Sequence, residues 1–186
     1  MRLYLSIIGV AMAVIALFNT LFGAASLGYA VAAVVWCTAL QFLLDGGVAM
    51  AVHVMPNRWF LENNPLYRVS ERERKVYRKW RVRSWKDKVW ELGGLGGFSK
   101  RELKEPNSLE YIERFIVECN KGVLTHVLSC PIGFLAMLTA RGVCAFTIAL
   151  PVAVVNLFLN VLPIIVLRYN TPTLIAQANR LRRRAR

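Results

Sequence analysis

The 186 residues are 56% hydrophobic, yet they carry a formal net charge of +13 and a mean hydropathy of +0.42. A soluble domain of this length needs a more polar surface, so that class is excluded. The two figures are compatible only if apolar and basic residues are segregated, and the long uncharged stretches indeed all lie before residue 56 or after residue 121. This is the composition of an integral membrane protein. The expected fold class is all-α: one polytopic membrane domain of about four transmembrane helices, with a basic, cytoplasmic, amphipathic helical segment between spans two and three.

Residues 3–22 carry no charge and suffice to cross roughly 30 Å of hydrocarbon as a helix. A signal peptide is the rival reading. The apolar run exceeds the usual signal core of about 7–15 residues, which favours a retained span. Residues 28–52 form the second span. Gln41 and Asp45 lie inside it, and Asp45 is its only charge. A carboxylate there costs about 2.5–3.5 kcal/mol at mid-membrane, so it is expected to face other helices, with a lysine or arginine near the inner interface as its partner.

Residues 53–121 are polar, with 16 Lys/Arg against 10 Asp/Glu. Trp59, Phe60 and Arg58 suit the headgroup layer at the membrane exit. Ser70 and Glu73 form a capping-box signal. The helix it opens is dense in Arg and Lys and interleaved with Tyr77, Trp80, Val82, Trp85, Val89 and Trp90. Next to membrane spans, such a helix reads as interfacial on anionic lipid rather than as a nucleic-acid binder. The run Gly93-Gly94-Leu95-Gly96-Gly97-Phe98-Ser99-Lys100 matches no nucleotide fingerprint. It reads as a hinge, or as backbone lying close to a ligand.

Asn107 is a plausible N-cap, with Glu110 three residues on. Leu109, Ile112, Phe115 and Ile116 follow at helical spacing, and no break signal separates this polar helix from the third span, residues 122–140. Glu118 and His126 sit at that junction. Eight residues place them two turns apart along a helix and about 80° apart around it. The fourth span is 142–167, where Asn156 and Asn160 share a face at i,i+4. They read first as interhelix contacts and second as a polar lining. A tail from Arg168 onward holds six arginines and no acid. Residues 53–121 and the tail contain 22 of the 24 Lys/Arg, so the positive-inside rule puts both termini and the polar body in the cytoplasm of a multi-pass cell-membrane protein.

Cys37, Cys119, Cys130 and Cys144 lack metal-like spacing and read as small buried hydrophobes. No metal or cofactor fingerprint is present. A histidine beside a carboxylate is the usual means of deprotonating a hydroxyl near neutral pH, and nearby cations can hold a phosphate or an oxyanion. A hydrogen-bonded structural histidine is the alternative for His126.

Several segments together resemble the glycosyl-4,4'-diaponeurosporenoate acyltransferase family. They are Trp80-Arg-Val-Arg-Ser-Trp85-Lys86-Asp87-Lys88, the glycine run through Leu103, Glu113-Arg-Phe-Ile-Val-Glu118, His126, and Arg168-Tyr169-Asn170-Thr171-Pro172. The resemblance covers roughly residues 56–186. Where the family tends to carry a second acid and a tryptophan, this chain has Val123 and Val127. Thr171 and Thr173 stand for arginines. The resemblance implies a membrane acyltransferase that esterifies the sugar of a glycosylated carotenoid, with a glycolipid as a substitute acceptor and acyl-CoA or acyl carrier protein as donor. Carried over by position are Trp85, Lys86, Asp87, Glu118, His126, Arg168, Tyr169, Asn170 and Pro172; from the chemistry of these residue types, His126 and Glu118 are the candidates for catalysis. Trp85, Lys86, Asp87, Lys100, Arg168, Tyr169 and Asn170 are the candidates for substrate binding. The competing reading is a non-catalytic lipid-binding or assembly module held by its basic body.

Overall fold

The computed structural model describes residues 2–89 and 103–185, so Trp90, the glycine run and Lys100 lie outside the described residues. Helices dominate and no strand occurs among the described residues. The helices are α1 (Arg2–Leu21), α2 (Leu27–His53), α3 (Glu71–Lys79), α4 (Val82–Trp85), α5 (Leu109–Ile132) and α6 (Leu150–Arg184). Four helical stretches are long and apolar enough to cross a membrane: Tyr4–Leu21, Leu27–His53, Leu109–Thr139 and Ala145–Arg184.

The chain divides into two compact units. The first comprises Met1–Met50 and Thr125–Val161. Its core is built from small and β-branched residues: Ala16, Ala30, Val34, Cys37, Ile148, Ala149 and Val152. Small side chains let helix backbones approach closely, which replaces the hydrophobic drive that lipid removes. Meanwhile Val10, Phe18, Leu43 and Met50 stay exposed, as a lipid-facing surface requires. The buried Asn19 amide donates to the carbonyls of Ile15 and Thr147, each at 2.8 Å, pinning α1 to a π-helical turn at Ala145–Ala149. After Pro131 the α5 helix tightens into a 3-10 stretch, Gly133–Thr139.

Gly133 is a tight point. Gln41 Nε2 donates to its carbonyl at 2.6 Å, and a Cβ added there would lie 2.7 Å from Gln41 Oε1 and 2.9 Å from Asn156 Nδ2. Alanine at this position forces both amides to move. We expect Gly133→Ala to destabilise the protein by about 1–3 kcal/mol, read as a lowered thermal midpoint of the detergent-solubilised chain. An unchanged midpoint would show that the amides yield without cost.

The second unit comprises Ala51–Leu124 and Leu162–Arg186. Phe60, Tyr67, Tyr77, Val82, Ile112, Ile116 and Val166 are buried. Asn120 Nδ2 donates to the Phe60 carbonyl at 2.8 Å, and the Lys121 ammonium reaches the His53 carbonyl at 3.2 Å and lies over the Phe60 ring. Together they tie the first half of α5 to the segment following α2.

Two sequence expectations need correction. The helix opened by Ser70 does not run on through Trp90. Arg81, at φ 48° and ψ 42°, is left-handed and divides it into α3 and α4. Second, the α5 cap is Ser108, whose hydroxyl accepts from the Tyr111 N–H at 3.2 Å, one residue beyond Asn107. The basic tail is helical as well: α6 continues past residue 167 to Arg184, through Pro163 and Pro172. The junction of polar helix and third span is, as expected, one uninterrupted α5.

Candidate active site

In the first unit, three helices bring polar side chains together inside apolar surroundings. Among the described residues Asp45 of α2 meets no lysine or arginine; its partners there are the two asparagines of α6. Asn160 Nδ2 donates to Asp45 Oδ2 at 3.2 Å, and Asn156 Nδ2 lies 3.5 Å from Asp45 Oδ1. Asn160 Nδ2 also donates to the Asn156 carbonyl at 3.1 Å. The asparagines are therefore interhelix contacts, the first of the two readings their spacing allows. Asn160 is 5% exposed, and its amide oxygen faces His126 Nδ1 of α5 at 2.8 Å.

This geometry assigns the protons. A carboxylate only accepts, so the amino end of Asn160 must face Asp45 and its oxygen must face the imidazole. An amide oxygen also only accepts, so Nδ1 of His126 carries the proton and donates it. In the neutral ring Nε2 is then the basic nitrogen. Glu118 belongs to the second unit, in the same continuous α5, and is half-buried.

In the second unit, most of the predicted binding residues do come together. Lys86 Nζ donates to Asn170 Oδ1 at 3.3 Å, lies 3.6 Å from Asp87 Oδ1 and sits 6.0 Å from the centre of the Tyr169 ring. Its side chain is 22% exposed. Trp85 Nε1 donates to the Trp80 carbonyl at 3.0 Å, which folds the indole back over the αL break. All three guanidinium nitrogens of Arg168 bind protein groups. Its guanidinium forks onto Glu73 at 2.6 and 2.8 Å and donates to the carbonyls of Leu66 and Arg68 at 3.4 and 3.2 Å.

Glu73 and Tyr77 are members of this cluster that the sequence reading did not place in it. Ser70 Oγ does accept the Glu73 N–H at 3.2 Å, so half of the capping box forms. The Glu73 carboxylate, however, turns to Arg168 and accepts the Tyr77 hydroxyl. Hydrogen bonding to Arg168 holds the Glu73 carboxyl below its usual range against the opposing effect of burial, with Tyr77 adding to the lowering. Burial, and after it the neighbouring Glu73, push the Tyr77 hydroxyl up. Tyr77 also meets Tyr169 edge-on, with centroids 6.3 Å apart. The sequence signal available was Arg168 itself, a lone cation ending an apolar run, which requires an acid. Among the described residues no group of three or more His, Cys, Asp or Glu is arranged to hold a metal ion.

A family model described as glycosyl-4,4'-diaponeurosporenoate acyltransferase matches residues 56–182. The chain belongs to that family. It is an acyltransferase, and its four apolar helices mark it as a membrane protein. No curated protein and no solved structure gives a significant match. The family match takes in Trp85, Lys86, Asp87, Glu118, His126, Asn160, Arg168, Tyr169 and Asn170, whereas Gln41 and Asp45 precede it.

Proposed function

We propose that this acyltransferase moves a fatty acyl group from acyl-CoA or acyl carrier protein to a hydroxyl of a lipid-linked sugar, with His126 as general base. The acceptor is a glycosylated carotenoid or a glycolipid. The observation that carries the reading is the contact between His126 Nδ1 and Asn160 Oδ1, with Asn160 in turn anchored on Asp45. It presents Nε2 as the proton acceptor. Nε2 takes the hydroxyl proton as the sugar oxygen attacks the thioester carbonyl. The carbonyl oxygen becomes an oxyanion, the C–S bond breaks, and the imidazolium returns its proton to the leaving thiolate. The products are the ester and a free thiol.

Asn160 is the partner of the ring at Nδ1, and Glu118 is the second catalytic candidate. Lys86, partly buried beside an amide, an exposed acid and an aromatic face, is the anion contact for donor phosphates. Arg168, held by Glu73 and two carbonyls, positions Tyr169 and Asn170 around that lysine. Lys100, a further cation in this part of the chain, completes the proposed binding set. The charge distribution supports placing this chemistry at the inner leaflet, with both termini cytoplasmic.

The test is the pH–rate profile of Asn160→Leu. Losing the Nδ1 acceptor frees the ring to flip and change tautomer. We expect kcat/KM to fall on the order of 10–10²-fold, with a shift of the acidic limb. A variant with an unaltered profile would show that Asn160 does not orient the base.

A further inference from the structure

A basic helix that lies in the headgroup layer must turn an apolar stripe toward the lipid. The second unit uses the apolar residues of α3 and α4 otherwise. Tyr77, Val82 and Val89 are buried in protein, and α3 packs inward through Glu73 on Arg168 and Tyr77 on Tyr169. What α3 turns outward is charge. Arg72, Lys75, Arg78 and Lys79 are exposed, and among the described residues no acid pairs with them. Arg74 is exposed as well and meets Glu71 at 3.1 Å. Beside these cations Val76 and Trp80, at i,i+4, are 40% and 54% exposed. The face is therefore a small apolar centre with a strongly basic margin.

We propose that this face docks an acidic acyl carrier protein, so that the donor is a carrier-bound thioester. The donor's part in the reaction rests on the acyl transfer proposed above; the docking surface does not rest on His126. Charge complementarity selects an anionic partner. An exposed helix face encloses nothing, whereas the nucleotide end of a soluble thioester needs a cleft. A tryptophan set among arginines, with charge around it, has the composition of a protein interface. Lys86, at Asn170, supplies a contact for the phosphate that heads the carrier's pantetheine arm. Along α6, Asn170 lies ten residues beyond Asn160, about 15 Å of helical rise. An extended arm covers such a span between its phosphate and its thioester. Opposite charges also steer the encounter, which makes the association fast and salt-sensitive.

The experiment is equilibrium binding of purified palmitoyl-loaded acyl carrier protein to the full chain in nanodiscs of neutral phosphatidylcholine. One variant combines Arg72→Gln, Lys75→Gln and Lys79→Gln, which leave the Arg168 fork intact. Lys75→Glu alone gives the same test with a single change, and His126→Ala is run beside both. We expect the triple variant to bind the carrier at least tenfold more weakly than the wild-type chain, Lys75→Glu to bind it several-fold more weakly, and His126→Ala to bind it equally. Added salt should weaken binding by the wild-type chain far more than by the triple variant. Absence of carrier binding by the wild-type chain, or undiminished binding by the triple variant and Lys75→Glu, overturns the proposal. A difference seen only in discs of anionic phosphatidylglycerol also overturns it, because the face would then serve lipid. So does loss of free coenzyme A binding in the triple variant, which would assign the face to a soluble donor. Carrier binding lost in the triple variant, with no transfer from the carrier to any lipid-linked sugar, would instead remove the acceptor reading and leave the docking surface standing.

Discussion

Replacing His126 by alanine is expected to lower acyl transfer on the order of 10²–10⁴-fold while membrane yield and thermal stability stay near the parent values. The magnitude follows from the role: the attacking sugar hydroxyl is a poor nucleophile until its proton has somewhere to go. The stability expectation follows from the surroundings. His126 is half-buried, and removing it leaves Asn160 its bonds to Asp45 and to the Asn156 carbonyl. Turnover with purified enzyme, beside a melting curve of the same preparation, separates the outcomes. If yield, midpoint and rate fall together, His126 is a structural histidine.

The second large effect belongs to Arg168. Its removal strands the Glu73 carboxylate, whose side chain is only 23% exposed, and opens three further hydrogen bonds at Leu66, Arg68 and Glu73. Breaking one side of such a pair costs on the order of 3 kcal/mol. Arg168→Ala should therefore lose much of the stability of the second unit. Arg168→Lys should recover less than half of it, because an ammonium cannot form the planar fork. Denaturant melts of the two variants, monitored by tryptophan fluorescence, check this.

The same pair sets a pH window. Glu73 is held below its ordinary value of 4.5 when folded, so its contribution is complete above that value and disappears as pH falls through the lowered one. Tyr77 is raised above its ordinary value of 10, so its contribution is complete below pH 10 and disappears as pH rises beyond it. Parent stability should thus fall on both sides of this range. Glu73→Gln should flatten the acid side.

Much of this architecture is legible in the residues, because uncharged runs of membrane length admit few alternatives. The four spans and the unbroken passage from the Leu109 helix into the third span follow from that constraint. The break at Arg81 is not legible, since arginine carries no preference for the left-handed conformation that divides α3 from α4. Nor is the continuation of α6 beyond Arg168. A run of arginines shows no apolar period on which to extend a helix, and the acids that Arg168 and Arg182 find, Glu73, Glu62 and Glu113, lie far away in the chain. At the candidate site, Asp45, Asn156, Asn160 and His126 each stand out as polar residues in apolar runs. Their connection is a tertiary fact. Separations of 111 and 115 residues between Asp45 and the asparagines leave no local trace in spacing.

The central claim is tested most directly by lipid mass spectrometry of three matched strains, carrying the wild-type gene, a deletion, and His126→Ala expressed to equal level. The account predicts one glycosylated carotenoid or glycolipid that lacks a fatty acyl mass in both altered strains and carries it in the wild type. A deletion that changes no acylated species, or a His126→Ala strain that fully restores what the deletion removed, would contradict it.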